Sequence, residues 1–120
     1  MSNTQRVTGS ALRILTRALS DAWADLNATF FGGEMRPPTM EIRPLERQLG
    51  RWERMSRQII LSESLLLNQT WGVVLEVLKH EMAHQFVHEI LHLDESSHGP
   101  RFREECARIG IDSRAQGLPR

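Results

Sequence analysis

Apolar residues recur at helical spacing over residues 9–28, where Leu12, Leu15, Leu19, Ala22, Trp23 and Leu26 fall on one face. Thr8 or Ser10 is the candidate N-cap. Gly32-Gly33 halts this helix and Pro37-Pro38 keeps it from resuming. The period then changes. Thr39-Met40-Glu41-Ile42-Arg43 alternates as a short strand ended by Pro44, and residues 51–55 and 57–61 predict two more. Ile59, Ile60 and Leu61 give the strongest β signal in the chain. Residues 63–68 predict a short helical turn after Ser62 or Ser64.

Thr70 can cap a long helix reaching about His92. Val73, Val77, His80, His84, Val87 and Leu91 share one stripe of it, and Trp71, Val74, Leu78, Met82, Phe86 and Ile90 the opposite one. A helix apolar on both sides is central and buried, so its histidines lie inside the protein. Leu93 to Gly99 reads as a polar loop. Pro100 opens a last helix with Phe102, Cys106 and Ile109 inward, and Gly110 stops it. The remaining tail, 112–120, has no clear periodicity. The pattern therefore predicts one α+β domain over residues 1–120, with helices on a sheet of about three strands.

Composition adds mainly exclusions. A chain of 120 residues supports a single core, and 40% hydrophobic with 25% charged residues is a globular balance. The single cysteine, Cys106, permits neither an internal disulfide nor a cysteine-based zinc ribbon. Arg6, Arg13 and Arg17 interrupt the N-terminus, so a signal peptide is not expected, and no run is long and apolar enough for a membrane span. The expectation is a soluble, cytoplasmic protein without a pro-segment. Net charge is zero, but residues 43–57 hold five arginines against Glu46 and Glu53. That is first a solvated, salt-bridged surface, and second a strip that could contact nucleic acid.

The chemistry lies in His80-Glu81-Met82-Ala83-His84, the HExxH pattern, followed fourteen residues later by His98-Gly99-Pro100-Arg101-Phe102. Two imidazoles at i and i+4 can hold one zinc ion, with Glu81 close enough to act as a base. The flanking Val77, Leu78, Met82, Ala83, Gln85 and Phe86 are uncharged and would keep such a site dry; Lys79 is the one close charge. Core histidines without a metal would leave Glu81 buried with no cation, which is costly. A third ligand is needed. His88 and His92 continue the i+4 series, but three ligands from one straight helix converge poorly, with His80 and His88 about 12 Å apart along the axis. A metzincin would need glycine at 87 and histidine at 90, where Val87 and Ile90 stand. His98, after a loop that can fold back, is the better candidate.

Together the two motifs, set in the run from Val74 to Ile111, resemble the SprT-like (Spartan-type) zinc metallopeptidase domain. The preceding pattern is similar too: a helix ending near Phe30-Phe31-Gly32, a strand after prolines, then strands leading into Ser62-Glu63-Ser64-Leu65. The resemblance spans roughly residues 10 to 111. It implies a minimal zincin-like fold, Zn2+ held by His80, His84 and His98, Glu81 as general base, and hydrolysis of protein or peptide substrates. Family members cleave proteins, some of them crosslinked to DNA, and those carry further zinc-ribbon or DNA-binding modules. This chain looks like the peptidase core alone. The competing expectation is a zinc-stabilised binding module without catalysis, recruited to nucleic acid by the 43–57 arginines; a zinc hydrolase of non-peptide substrates is a third. An edge strand, either Ile59–Leu61 or 51–55, would receive a peptide as an added strand. With no tyrosine in the chain, an oxyanion would be stabilised by an arginine, a histidine such as His88, or the zinc itself.

Overall fold

A computed structural model describes residues 8–94 and 98–114. Expectations that fall on residues 1–7, 95–97 and 115–120, including part of the loop before His98 and most of the tail, lie outside the described residues. Elements follow in the order α1 (Gly9–Phe30), β1 (Thr39–Arg43), β2 (Gly50–Glu53), β3 (Gln58–Ser62), α2 (Glu63–Asn68), α3 (Trp71–Glu89) and α4 (Pro100–Ile109). Four helices on a three-stranded sheet make the α+β architecture that the sequence predicts.

Local chemistry sets the element ends. The hydroxyl of Thr8 accepts from the Ala11 amide and caps α1, the hydroxyl of Thr70 accepts from the Val73 amide and caps α3, and Ser62 caps α2. Asn27 extends α1 slightly past the expected boundary. Its carbonyl accepts the Phe31 and Gly33 amides, and its side chain pairs with both backbone groups of Met35. α3 stops at Glu89 rather than near His92. The Leu93 amide turns back onto the Val87 carbonyl, and His92 adopts a left-handed φ of 55°. At the other end of the scale of burial, Trp71 (42% exposed) and Leu91 (37%) leave the stripes drawn for them, because they sit at helix ends beyond the packed layer.

The sheet order is β1-β3-β2, with β1 parallel and β2 antiparallel to β3. β3 is therefore central, and its run Ile59, Ile60, Leu61 and Ser62 is buried throughout. This removes Ile59–Leu61 as a receiving edge and leaves β2 as the edge beside α3. The predicted strands 51–55 and 57–61 both shorten at their shared turn. Arg57 there is left-handed at φ 53°, and its guanidinium reaches Glu89 on α3 and the carbonyls of Arg36 and Pro37.

Gly50 allows β2 to lie this close. A Cβ on it would stand 2.8 Å from Leu61 Cδ2 and 3.2 Å from both the Ile60 carbonyl and Val77 Cγ1 of α3. The main core fills the space among α1, the sheet and α3 with residues such as Leu19, Trp23, Ile59, Leu61, Leu78 and Met82. A second cluster of Ala83, Val87, Phe102 and Cys106 fastens α4 to the other side of α3. α3 is thus enclosed on two sides, as its doubly apolar pattern requires.

Candidate metal centre and active site

His80 and His84 project from successive turns of α3, and the chain returns His98 to the same place. One potential ligand atom from each lies within 4.8 Å of the others. The ring centroids are 5.2, 5.2 and 5.4 Å apart. His98 reaches the group through a left-handed backbone, φ 63°, just before the extended Gly99 and the N-terminal Pro100 of α4. Arg103 Nη1 holds that turn by donating to the His98 carbonyl at 2.6 Å. Phe102 lies under all three rings, stacked on His84 at 3.9 Å and 5.0 Å from each of the other two. The Phe at the end of the downstream motif is therefore the floor against which the imidazoles are ordered.

The electrostatics suit a cation. Burial lowers the pKa of His80 to about 4, with His98 adding to the effect and the backbone of Asp112 opposing it. Burial, then the neighbouring histidines, lowers His84 to about 3. Both rings are neutral at ordinary pH and keep lone pairs for a metal. His80 is only 2% exposed, and its Nδ1 has no hydrogen-bond partner. Three convergent imidazoles, two of them held neutral by burial and one with a buried nitrogen lacking a partner, fit a divalent ion of the zinc type.

Glu81 is likewise 2% exposed. Burial raises its carboxyl to about 8, and a hydrogen bond from the Trp52 backbone opposes the rise. His88 does not join the three histidines. Its Nδ1 accepts the indole N–H of Trp52 at 2.9 Å, and burial followed by Arg54 lowers its pKa. His92 lies beyond the end of α3. Cys106 is buried beneath the site, with its thiol pushed up to about 12 mainly by desolvation.

Four of the five arginines at 43–57 are paired. Arg43 meets Glu41, Arg51 meets Glu53, Arg54 meets Asp94 and Arg57 meets Glu89, at 3.2, 2.9, 2.5 and 2.5 Å. That is the salt-bridged surface expected first from the sequence. Among the described residues, no helix is long and apolar enough to cross a membrane.

Sequence reasoning missed Trp52. The one signal for it was an aromatic residue inside the charged string Arg51-Trp52-Glu53-Arg54. It also gave Arg103 and Asp112 no part around the site.

Among protein families, the SprT-like family matches residues 19–118. Two solved structures share the fold. One is the metallopeptidase zymogen abylysin of Pyrococcus abyssi, 23% identical, with a TM-score of 0.60 over 82% of this chain and 85% of that one. The other is the metallopeptidase zymogen jannalysin of Methanocaldococcus jannaschii, 16% identical, with a TM-score of 0.57 over 73% and 77%. No curated protein matches the chain.

Proposed function

The chain belongs to the SprT-like family, and we propose that it is a zinc-dependent endopeptidase of the HExxH type, with His80, His84 and His98 as metal ligands and Glu81 as general base. The observation that carries this reading is the convergence of the three histidine ligand atoms within 4.8 Å, with the carboxyl of Glu81 buried on the same helix. A site that served stability alone would have no use for that carboxyl beside the ion.

A bound zinc ion would supply the positive charge that acidifies water and polarises a substrate carbonyl. The protein's own groups do the rest. Burial raises the Glu81 carboxyl above the usual carboxylate range, which makes its ionised form, favoured beside a cation, a stronger proton acceptor. Glu81 takes the proton of the attacking water and returns it to the leaving amine. The Trp52 backbone beside Glu81 favours the ionised carboxylate. The stacked Phe102 and the buried Ala83 and Val87 keep bulk water from the rings. A substrate peptide would lie along β2, the edge strand nearest α3, as an added strand.

Protein or peptide is the substrate class this arrangement supports best. DNA-associated proteins are one candidate group, although the paired arginines at 43–57 leave little free charge for nucleic acid. The deciding experiment couples metal analysis to cleavage of casein or histone, with and without single-stranded DNA, for wild type and Glu81→Gln. The variant should keep zinc and fold and lose about two or more orders of magnitude in rate, the contribution usual for general-base catalysis. Parallel loss of zinc would make Glu81 a ligand. A fully zinc-loaded wild type that cleaves nothing would favour the binding module.

A further inference from the structure

Glu81 and His88 are seven residues apart on α3, which places them on one helical face, about 10 Å apart along the axis. A single residue of the edge strand touches both. The backbone of Trp52 faces the Glu81 carboxyl closely enough to favour its ionised form, and its indole Nε1 donates to His88 Nδ1 at 2.9 Å. Indole N–H is a donor only, so Nδ1 of His88 must present a lone pair, and the proton of the neutral ring sits on Nε2. Trp52 pairs in register with Ile59 of the central strand, so any shift of its side chain is felt along β2. Gly50, two residues away, leaves no slack between β2 and α3.

We propose that His88 is a positioning residue: by accepting the indole proton of Trp52 it fixes the edge strand over α3, so that the Trp52 backbone stays on the Glu81 carboxyl. His88 thereby acts on the general base through Trp52, without binding metal. The indole of Trp52 ties β2 to the last turns of α3, and the backbone of the same residue faces the turn that carries Glu81. A side-chain tie of this kind sets both the aim of the base and the height of the edge that would receive a peptide. The kinetic part of this inference rests on the endopeptidase reading; the structural part does not.

The test has two arms on the full chain. Without activity, nitrogen-15 NMR of His88 in wild type should show a bare Nδ1 and a protonated Nε2, and His88→Leu should speed hydrogen exchange at both the indole and the amide of Trp52. His88→Asn, whose carbonyl can occupy the place of Nδ1, should restore the protection. With activity, His88→Leu should keep one zinc per chain and lower kcat roughly five- to tenfold, the scale of one neutral hydrogen bond. KM should change less, and His88→Asn should recover most of the loss. Trp52→Phe should give a similar loss, and the double variant His88→Leu/Trp52→Phe no more than either alone. A proton on Nδ1, unchanged Trp52 exchange in His88→Leu, or additive losses would overturn the proposal. If wild type cleaves no protein, the endopeptidase reading fails, and the NMR and exchange arm still decides whether His88 holds Trp52.

Discussion

The indole of Trp23 and the side-chain amide of Gln85 meet at 3.1 Å in the interior, 62 residues apart in sequence. The indole donates to Gln85 Oε1, and Gln85 Nε2 donates onward to the Arg36 carbonyl and to Glu89 Oε1, each at 3.0 Å. Glu89 in turn holds Arg57 of the β2–β3 turn. A fully buried residue next to His84 therefore fastens α1, the loop before β1 and the edge hairpin to the helix that bears the site.

Gln85→Leu should destabilise the protein by roughly 1–3 kcal/mol, since it leaves the buried Trp23 indole without its partner and takes one of two donors from the Arg36 carbonyl. Trp23→Phe should also cost stability, through lost volume as well as the lost bond. Because both substitutions break one contact, the double variant should lose less than the sum of the two in urea denaturation. Strict additivity would mean that the bond contributes nothing to the fold.

Zinc should bind at one ion per chain and raise the melting temperature. His80→Ala, His84→Ala and His98→Ala should each reduce that gain, because the three side chains come from α3 and from the turn before α4, and the ion would join them. His88→Ala should keep the stoichiometry. Retention of zinc by His98→Ala together with its loss in His88→Ala would reverse the choice of third ligand.

How much of this was legible in the sequence depends on the range of the interaction. The three strands, the capped helices and the buried character of α3 follow from periodicity and local hydrogen bonds, which act within a few residues of sequence. The convergence of His98 on His80 and His84 was inferred from ligand requirements and a foldable loop, and the structure brings these atoms together. Strand order was not legible. Ile59–Leu61 reads equally as edge or centre until the parallel pairing with β1 is known. Trp52 was missed for the same reason: its partners, Glu81 and His88, belong to a different element, and no short-range pattern links a strand aromatic to a helix with two elements in between. The end of α3 was misplaced because the left-handed backbone at His92 is a tertiary choice that the i+4 histidine series conceals.

Gly50→Ala should cost roughly 1–3 kcal/mol, the usual scale of overpacking. The added Cβ would press on Leu61 at 2.8 Å, and on the Ile60 carbonyl and Val77 at 3.2 Å. The flexible leucine can yield, but the backbone carbonyl cannot. β2 must then move away from α3, so kcat should fall even at temperatures where the variant is fully folded. Thermal denaturation and cleavage measured together would check this; full stability with full activity would show that the gap can open freely.

The metal-free protein should be most stable near pH 6.5, and the sign follows group by group. His80 and His84 titrate near 6.5 when unfolded but at about 4 and about 3 in the fold. Between those values the unfolded chain binds more protons, so stability is lost as pH falls below 6.5. Glu81 runs the other way. Its pKa rises from 4.5 to about 8 on folding, so the folded chain holds the extra proton and stability is lost as pH rises through that window. From pH 4.5 to 6.5 two histidines oppose one carboxyl and stability climbs; above 6.5 only the carboxyl acts and it declines. Glu81→Gln removes the titrating group, so its metal-free form should show no decline between pH 6.5 and about 8 while keeping the acid limb. Zinc, which needs the histidines neutral and favours an ionised carboxylate beside it, should abolish the decline in wild type as well. Denaturation of metal-free wild type and Glu81→Gln across this pH range would decide the matter. A wild-type curve that stays flat above pH 6.5 would mean that Glu81 is already ionised in the metal-free fold.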